Sequence, residues 1–582
     1  MEELYWKISL LRFNSPIRYN INTIVMLNFK YITIEFLLCV STLHMNAQKN
    51  AFWGDQGDGT FRNPVIASDY SDPDPIRVGD TYYMVSSTFE NSPGVCVLRS
   101  YDLVNWETVG AALTDMEKIS PAFSPDRMNR YNEGVYAPTI AEHDGKFYIY
   151  VNLYTDGLIV ATADSPEGPW TSDFLKDKYG VPLKVTHWTD PCPFWDDDGK
   201  AYLVSSHPGR KYWYSYIFQM SPDGKQLLDA DAAHMTPHNV LYQWPDGGTV
   251  ISPYHSSEGN RIFKKDGMYY FQHIEFTDKG LGAGTYVFRS PNLFGIHPDG
   301  TPGTPGNIGE YEKKKIITEI NDSTGRWQNL PGQGGYVDTS DGKWYWIGQF
   351  NINYPEGRTP CLLPVEWVDG WPLIGADLDN DGIGEMVWSL PKPIKGDSVF
   401  YPQGSDDFNS SMLNPVWSWN HAPDNTKWSL SENAGKMRIY GAESIPGKGF
   451  FGIRNILHQR HMHSKKTSGT VSMDISGMSD GQTAGLAHFD GGKSYAWLGV
   501  RQENGRRMML FESNGAVIAG DPLPDSQTRI FLRSEAADDD VAIFSFSLDG
   551  KDFQTFGKPY PLTFANFRGD RIGIFTYSDV YD

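Results

Sequence analysis

Short aromatic and β-branched runs alternate with polar turns along most of the chain, a pattern that predicts strands and not helices. Between residues 60 and 372 one unit recurs five times, a Gly-Asp or Asp-Gly turn followed at once by an aromatic strand. The five turns lie at residues 79–80, 144–145, 198–199, 266–267 and 341–342. The copies start roughly 54 to 75 residues apart, as four-stranded blades do. The repeat therefore predicts a five-bladed β-propeller over residues 48–389, since a sandwich with coincidental turns would have to explain five matches in order.

A second strand-rich region follows the repeat. Prolines and glycines mark residues 390–406 as a linker. Residues 407–582 then show short alternating strands without the aromatic turn repeat, which predicts a two-sheet β-sandwich. The predicted fold class is therefore all-β, a five-bladed β-propeller followed by a β-sandwich.

Residues 1–47 have the pattern of a leader and signal peptide. A basic residue precedes the largely apolar residues 31–45, and the small Ala47 stands near the exit. This order is typical of a secretory signal, so we expect export to the periplasm or the extracellular space. The alternative is an N-terminal strand of the fold. No later stretch of the sequence is long and apolar enough to span a membrane.

Composition narrows the choice of partners. The chain has 582 residues, with 18 Trp, 32 Tyr and 31 Phe and a formal net charge of −21. This charge opposes binding to nucleic acid or to an anionic membrane and favours a neutral or cationic ligand. The cysteines Cys39, Cys96, Cys192 and Cys361 form no C-x-x-C pair, so neither a disulfide framework nor a thiolate zinc site is expected. The sequence leaves the oligomeric state open.

Three of the five copies place a carboxylate just before their second strand, namely Asp72, Asp190 and Glu258. The innermost strands of a propeller line its central channel, so these side chains are expected to converge at one end of the axis. Three carboxylates in an aromatic cavity are costly to ionise together, and at least one pKa should rise. A raised and an ordinary carboxyl group supply the general acid and general base that cleave glycosidic bonds. Any one of the three alone is more often a turn residue, and their recurrence in register favours function.

Aromatic side chains near these acids are candidates for sugar contacts. Phe89 and Trp188 are candidate platforms and His255 is a candidate contact, although any one of them more often packs in a core. Residues 377–385 have part of the spacing of a calcium loop, but the 12-residue register ends in Trp388 and not in Glu, which favours a plain acidic loop. We therefore assign no metal ligand and expect no cofactor for the chemistry, while a structural Ca²⁺ has no support in the pattern.

With these residues in place, the chain resembles glycoside hydrolase family 43, the inverting five-bladed propeller β-xylosidases and α-L-arabinofuranosidases. The resemblance runs from about Asn63 to the C-terminus. It rests on Tyr-Ser-Asp-Pro-Asp at residues 70–74, Asp-Pro-Cys-Pro-Phe-Trp at 190–195 and the closing signature Pro-Val-Glu-Trp-Val-Asp-Gly-Trp-Pro at 364–372. The second region resembles the concanavalin-like, jelly-roll sandwich that is fused to β-xylosidases of this family.

The resemblance implies a role for each carboxylate. Asp72 would be the general base, Glu258 the general acid, and Asp190 the residue that raises the pKa of the acid and orients it. Arg358 would hydrogen-bond sugar hydroxyls. In an inverting enzyme the base and the acid stand about 6.5 to 9.5 Å apart, which leaves room for a water molecule.

Three positions depart from the pattern of the family. Asn260 follows Glu258-Gly259 where Pro is usual, which bears on the geometry of the acid. Gln333 stands where the fifth blade often has a His associated with a metal ion, and Thr139 stands where the second blade usually has Asp.

We therefore expect an exported inverting exo-glycosidase that acts on xylose- or arabinose-containing oligosaccharides from hemicellulose. The β-xylosidase activity is favoured, and α-L-arabinofuranosidase is the alternative. The sandwich is expected to close one side of the pocket, with a loop near residues 488–493 as a candidate contributor. A non-catalytic carbohydrate-binding propeller is a rival that Asn260 permits. A structural or adhesion protein is a second rival, but it gives no reason for three acids in register.

Overall fold

The computed structural model describes most of the chain from residue 53 onward. The described residues are 53–208, 213–235, 249–252, 257–275, 284–318, 320–321, 328–329, 331–350, 354–396, 399–464, 466–537 and 540–579. The predicted leader lies outside these ranges. Within them, no helix combines the length and apolar character that a membrane crossing needs.

Five four-stranded antiparallel sheets form a ring, which confirms the predicted propeller. Two short strands, β1 (Gly54–Asp55) and β2 (Thr60–Arg62), come first. The strands of each blade follow one another from the innermost strand outward. Blade one has β3 (Asp74–Val78), β4 (Thr81–Ser86), β5 (Gly94–Ser100) and β6 (Trp106–Leu113), and blade two has β7 (Val135–His143), β8 (Lys146–Leu153), β9 (Gly157–Ala163) and β10 (Thr171–Phe174). Blade three has β11 (Thr189–Trp195), β12 (Ala201–Pro208), β13 (Trp213–Met220) and β14 (Thr249–Ser252), and blade four has β15 (Ser257–Lys265), β16 (Met268–Glu275), β17 (Gly284–Ser290) and β18 (Glu312–Ile317). A small hairpin of β19 (Ile320–Asn321) and β20 (Gln328–Asn329) precedes blade five, which has β21 (Gly332–Asp338), β22 (Trp344–Gln349), β23 (Pro360–Val368) and β24 (Trp371–Ile374). The first strands contact one another in the closed order β3, β7, β11, β15, β21, so they line the axis.

Helical segments are short in the described part of the chain. They are α1 (Met116–Ile119), α2 (Ala232–Met235) and the 3₁₀ turns Pro121–Phe123 and Gly449–Gly452.

The first two strands of each blade form where the sequence predicts them because the turns between them are chemically specified. Asp144 and Gly145 have φ of 50° and 73°, and Asp266 and Gly267 have φ of 50° and 78°. A tight hairpin turn needs positive φ at both central residues, which Asp tolerates and Gly adopts freely. The other three predicted turns also lie between the first two strands of their blades.

Apolar side chains of successive blades pack face to face and fix the ring. Val85 and Ile149 are fully buried between blades one and two, and Leu203 and Phe218 are fully buried in the cluster that joins blades two and three. Burying one such side chain contributes about 1.5–3 kcal/mol. Because the packing fixes the blades relative to one another, it also fixes the strand ends that carry the predicted acids.

The second domain is the predicted sandwich. Its strands are β26 (Ser418–Trp419), β27 (Trp428–Ser429), β28 (Arg438–Ile439), β29 (Leu457–Arg460), β30 (Lys466–Asp474), β31 (Gln482–Phe489), β32 (Tyr495–Glu503), β33 (Arg506–Ser513), β34 (Ala516–Pro522), β35 (Arg529–Ala537), β36 (Val541–Ser547), β37 (Gln554–Thr555), β38 (Tyr560–Pro561) and β39 (Arg571–Ser578), and β25 (Ser389–Pro391) precedes them. One sheet has the order β26–β29–β39–β31–β32–β33–β34, and the other contains β30, β35, β36, β37 and β38. The strand β39 therefore lies inside the larger sheet.

The predicted linker begins within a strand that pairs with the N-terminal part of the propeller domain. Strand β25 pairs with β2, with Leu390 opposite Phe61, and completes a three-stranded sheet with β1. The side chain of Leu390 packs against the core cluster that contains Phe61. The first residues of the stretch 390–406 are thus part of this sheet and not of a free connection.

Buried ion pairs join the two domains at the start of β39. Arg568 pairs with Glu90 at 2.7 Å, and Arg571 pairs with Asp69 at 2.6 Å. All four residues are buried. The backbone N–H of Asp570 also donates to the carbonyl oxygen of Pro355 at 2.7 Å. This segment of the sandwich is therefore held against the propeller at several points.

Candidate active site

The same backbone irregularity interrupts the inner strand of every blade. In each blade two residues are skipped in the pairing with the second strand, and the first of the two has positive φ. In blade one the two skipped residues lie between the hydrogen bond from Ser87 N to Ser71 O and the pair Asp74–Val85. The five residues with positive φ are Asp72 (φ 55°), Ala137 (φ 38°), Asp190 (φ 52°), Gly259 (φ 73°) and Gln333 (φ 51°). Non-glycine residues in this conformation are costly and cluster at functional sites, so the ring of bulges marks one end of the axis.

The register separates the three predicted acids. Asp72 and Asp190 occupy the left-handed position of their blades, whereas Glu258 stands one residue earlier and Gly259 takes the left-handed position. The sequence predicts all three in a comparable setting, and the structure corrects this for Glu258. Its side chain leaves the strand at a different point of the bulge, and the residue stays partly exposed while Asp72 and Asp190 are buried.

Donors from two blades and from Arg358 fix the carboxylate of Asp72. Ser87 Oγ donates to Oδ2 at 2.5 Å, and Gln349 Nε2 donates to Oδ1 at 3.0 Å. Gln349 Oε1 also accepts the backbone N–H of Asp72 at 2.6 Å. The guanidinium of Arg358 lies 3.2 Å from Oδ1. Neither Ser87 nor Gln349 was found from the sequence, because Ser87 directly follows β4, Gln349 ends β22, and neither carries a motif of its own.

Asp190 is held against the strand that carries Glu258. Its Oδ2 accepts hydrogen bonds from the backbone N–H of Gly259 and from Gln333 Nε2, the latter at 2.9 Å. Thr189 Oγ1 donates to Oδ1 at 2.6 Å. Burial raises the pKa of Asp190, and the negative charge of Asp72 adds to the rise. The contact with Gly259 ties the position of this carboxylate to that of its neighbour Glu258.

Glu258 is a protonated carboxyl group at neutral pH. Burial raises its pKa from 4.5 to about 8, and the negative charges of Asp190 and Asp72 act in the same direction. Arg358 opposes them. The site therefore contains a carboxylate held by hydrogen bonds, Asp72, and a carboxyl group that retains its proton, Glu258, which is the division of roles that acid–base hydrolysis requires.

The sandwich contributes one aromatic side chain to this site. Phe567 lies between β38 and β39 and is 48% exposed. Its ring centroid lies 4.8 Å from the guanidinium carbon of Arg358 and 6.3 Å from the ring of Tyr136. A half-exposed ring beside the arginine that is predicted to contact sugar offers an apolar surface to a ligand. Nothing in the sequence around Phe567 signals this placement, since it depends on how the two domains dock.

Two of the predicted sugar platforms are buried. Phe89 has no exposed surface and packs edge-on against Tyr136, with ring centroids 5.6 Å apart. Trp188 is 1% exposed, and its Nε1 donates to the carbonyl oxygen of Met235 at 3.2 Å. Neither ring presents a face to a ligand, so their assignment as platforms is corrected to packing. His255, the third predicted contact, lies outside the described residues.

Comparison with known families agrees with this geometry. The model for glycosyl hydrolases family 43 matches residues 61–372, and the model for the β-xylosidase C-terminal concanavalin A-like domain matches residues 405–581. The chain belongs to glycosyl hydrolase family 43. The family 43 assignment makes it a glycoside hydrolase and accounts for both domains.

Relatives of known activity or structure cover most of the chain. A β-xylosidase of Formosa agariphila is 32% identical over 560 residues, which are 91% of this chain and 89% of that protein. A non-reducing end α-L-arabinofuranosidase of Bacteroides ovatus is 29% identical over 392 residues, which are 66% and 65% of the two chains. The crystal structure of a family 43 protein variant from Bacillus licheniformis has a TM-score of 0.70 at 24% identity and covers 89% of this chain and 96% of its own. This last likeness supports the fold.

The centre of this family 43 propeller does not fit a metal ion. Gln333 stands where the resemblance implies a His, and its amide donates to Asp190. The next residue layer along the axis contains the guanidinium of Arg261, whose Nε lies 2.8 Å from Asp74 Oδ1. A permanent cation in this position repels a metal cation, and Arg offers no lone pair as a ligand. We therefore derive no step through a metal.

Proposed function

We propose that this chain is an inverting exo-glycosidase that removes xylose from hemicellulose oligosaccharides, that is, a β-xylosidase. The relative from Formosa agariphila supports this activity over most of both chains. α-L-Arabinofuranosidase is the second candidate, supported by the relative from Bacteroides ovatus over two thirds of the chain. Export through the leader of residues 1–47 remains part of the proposal and rests on the sequence pattern.

One observation supports the mechanism: a hydrogen-bonded carboxylate and a carboxyl group with a raised pKa lie in the same site. Asp72 accepts a proton from a water molecule as the oxygen of that water attacks the anomeric carbon. Glu258 donates its proton to the oxygen of the leaving group as the glycosidic bond breaks. The step leaves Asp72 protonated and Glu258 ionised, and exchange with solvent restores both. The separation of 6.5 to 9.5 Å between the two groups stays a prediction of the inverting mechanism.

Arg358 and Phe567 provide the means to hold a sugar beside these groups. Arg358 lies next to Asp72, so hydrogen bonds from its guanidinium to sugar hydroxyls would place the anomeric carbon near the base. Phe567 would cover an apolar face of the sugar. Because Phe567 comes from the sandwich, the second domain closes one side of the site, which favours release of terminal residues and supports exo action.

A substrate panel tests the proposal. Nitrophenyl β-D-xyloside, nitrophenyl α-L-arabinofuranoside and xylobiose should be compared, and proton NMR of the first product should show α-xylose from a β-xyloside. Asp72→Asn and Glu258→Gln should each lower kcat by about 10²–10⁴. A product with retained configuration would refute the inverting assignment. Sugar binding without turnover of any substrate would support the rival carbohydrate-binding propeller.

A further inference from the structure

A buried ion pair crosses the axis directly behind the acid and the base. Asp74 stands two residues after Asp72 on β3, and Arg261 stands three residues after Glu258 on β15. The two side chains meet at 2.8 Å and are 6% and 5% exposed. The pair therefore connects the two strands that carry the proposed catalytic groups.

The surrounding blades are shaped to admit this pair. Blades one and four are not adjacent, because blade five lies between them. At the equivalent layer blade five has Gly335, and a Cβ there would lie 2.4 Å from Asp74 Oδ1. Blade two contributes the backbone N–H of Ile140, which donates to Asp74 Oδ2 at 2.9 Å. Arg261 Nη1 also donates to the carbonyl oxygen of Asn260 at 2.7 Å. The carboxylate of Asp74 is thus held by blades two and four, in space that Gly335 of blade five leaves open.

The guanidinium of Arg261 places a buried positive charge among the acidic groups at this end of the axis. The negative groups that interact with Arg261 are Asp74, Asp190 and Asp72, and the thiol of Cys192 also faces it. The charged and titratable groups around Glu258 are Asp190, Asp72, Arg358 and Tyr154. Arginine keeps its charge at every pH at which the protein is folded, so this cation cannot be removed by titration.

We propose that Arg261 and Asp74 are a positioning pair for the hydrolysis: they hold the strands of Asp72 and Glu258 at a fixed separation and provide the axial cation, so that the reaction needs no divalent metal ion. This inference rests on the proposed function. Buried ion pairs are retained more for the register that they impose than for net stability, which fits a role in spacing two catalytic strands. A displacement of about 1 Å at such a site lowers the rate by roughly 10².

Charge and spacing are separated by three variants. Asp74→Asn removes one negative charge from the axis and leaves Arg261 with only Asp190 and Asp72 as acidic neighbours, so the surroundings of Glu258 become more positive and favour its ionised form. We therefore expect the alkaline limb of the pH profile of kcat/KM to move to lower pH by about one unit, together with a roughly tenfold fall in kcat. Arg261→Lys keeps the charge but loses the guanidinium that contacts Asp74, so kcat should fall while the alkaline limb stays in place. The double variant Asp74→Asn/Arg261→Met removes both charges and the contact between the two side chains. The alkaline limb should therefore return to its wild-type pH while kcat stays low.

A matched control is available in the pair of Arg77 and Asp338, which joins blades one and five at the ends of β3 and β21 that lie away from the bulges. Its two hydrogen bonds are both 2.9 Å, and the side chain of Arg77 is 30% exposed. Arg77→Met should change neither kcat nor the pH profile. Wild-type protein dialysed against a chelator should keep its kcat, and added Ca²⁺ or Mn²⁺ should not raise it.

The outcomes distinguish this inference from the proposed function. A wild-type protein that turns over no substrate refutes the proposed function. Activity that is lost on chelation and restored by a divalent ion overturns the inference, as do Asp74→Asn and Arg261→Lys variants with wild-type kcat and an unmoved alkaline limb. If Asp74→Asn does not fold, Arg261→Lys alone tests the positioning role. A fall in kcat with an unchanged KM and pH profile supports that role, and a wild-type kcat overturns it.

Discussion

Replacing Asp190 by Asn tests the electrostatics of the site, because this carboxylate is the strongest negative influence on Glu258. Raising the pKa of Glu258 from 4.5 to about 8 represents roughly 5 kcal/mol in favour of the protonated form. Burial is the largest cause and the charge of Asp190 comes next. Removing one nearby charge typically lowers such a pKa by about 1–2 units. The acid works only when protonated, so the variant should lose activity at lower pH than the wild type.

The size of the effect follows from the protonated fraction. At pH 7 about nine tenths of Glu258 is protonated when its pKa is about 8, and about one quarter would be protonated at a pKa of about 6.5. Protonation alone therefore lowers kcat/KM at pH 7 by about fourfold, and the alkaline limb shifts by about 1–2 units. The hydrogen bonds that Asp190 accepts from Gly259 and Gln333 are also disturbed, which adds a pH-independent loss.

The assay is the pH profile of kcat/KM on xylobiose from about pH 5 to 10. Xylobiose has a poor leaving group, so its cleavage depends on the general acid, whereas a dinitrophenyl xyloside depends on it much less. Asp198→Asn is the matched control, because Asp198 lies in an exposed turn of the same blade. Glu258→Gln should abolish the alkaline limb on xylobiose. An Asp190→Asn variant whose limb is unmoved, or moves to higher pH, would refute the assignment of the acid.

Three further substitutions have defined outcomes. Phe567→Ala removes the ring that lies 4.8 Å from the guanidinium of Arg358. The KM for xylobiose should therefore rise about tenfold, with a smaller change in kcat. An unchanged KM would show that the ring does not contact the sugar. Gly259→Ala places a Cβ 3.1 Å from Ile274 at a φ of 73°, so the free energy of unfolding in urea should fall by about 1–2 kcal/mol, and an equally stable variant would contradict the strained bulge. Asn260→Ala removes three hydrogen bonds of a buried side chain. The free energy of unfolding should therefore fall by about 1–3 kcal/mol. Thermal unfolding measures this change, and an unchanged midpoint temperature would contradict it.

The blade count could be predicted because its signal is local. An Asp-Gly turn between aromatic strands is specified by four or five consecutive residues, and positive φ at Asp144 and Asp266 is the conformation that such a turn requires. Asp72, Asp190 and Glu258 could be selected for the same reason, since each precedes a recognisable turn in its blade. The pKa values of Asp190 and Glu258 are both raised, first by burial and then by the neighbouring negative charges.

Features that depend on long-range packing could not be predicted. Whether Phe89 or Trp188 faces a ligand depends on which neighbours cover it, and both are covered. Phe567 reaches the site only because ion pairs such as that of Arg568 with Glu90 dock the sandwich against blade one. The sequence therefore did not indicate Phe567 as the residue of the sandwich that lies beside Arg358. In the loop of residues 488–493, which the sequence did indicate, the carbonyl oxygen of Asp490 accepts a hydrogen bond from Arg568 at 2.6 Å and so supports the docking segment.

Asn260 shows how a departure from the family pattern can preserve geometry by other means. A proline at this position would restrict the backbone after Glu258-Gly259 through its ring. Asn260 instead uses its side chain, which donates to the carbonyl oxygen of Asp190 at 3.1 Å and to Ser206 Oγ at 2.8 Å. Ser215 Oγ donates back to it at 2.7 Å. These hydrogen bonds tie the start of β15 to blade three, the blade that carries Asp190. Because Asp190 also accepts the N–H of Gly259, the residues that flank Glu258 stay tied to the carboxylate whose charge favours its protonated form, which favours catalysis over a binding-only propeller.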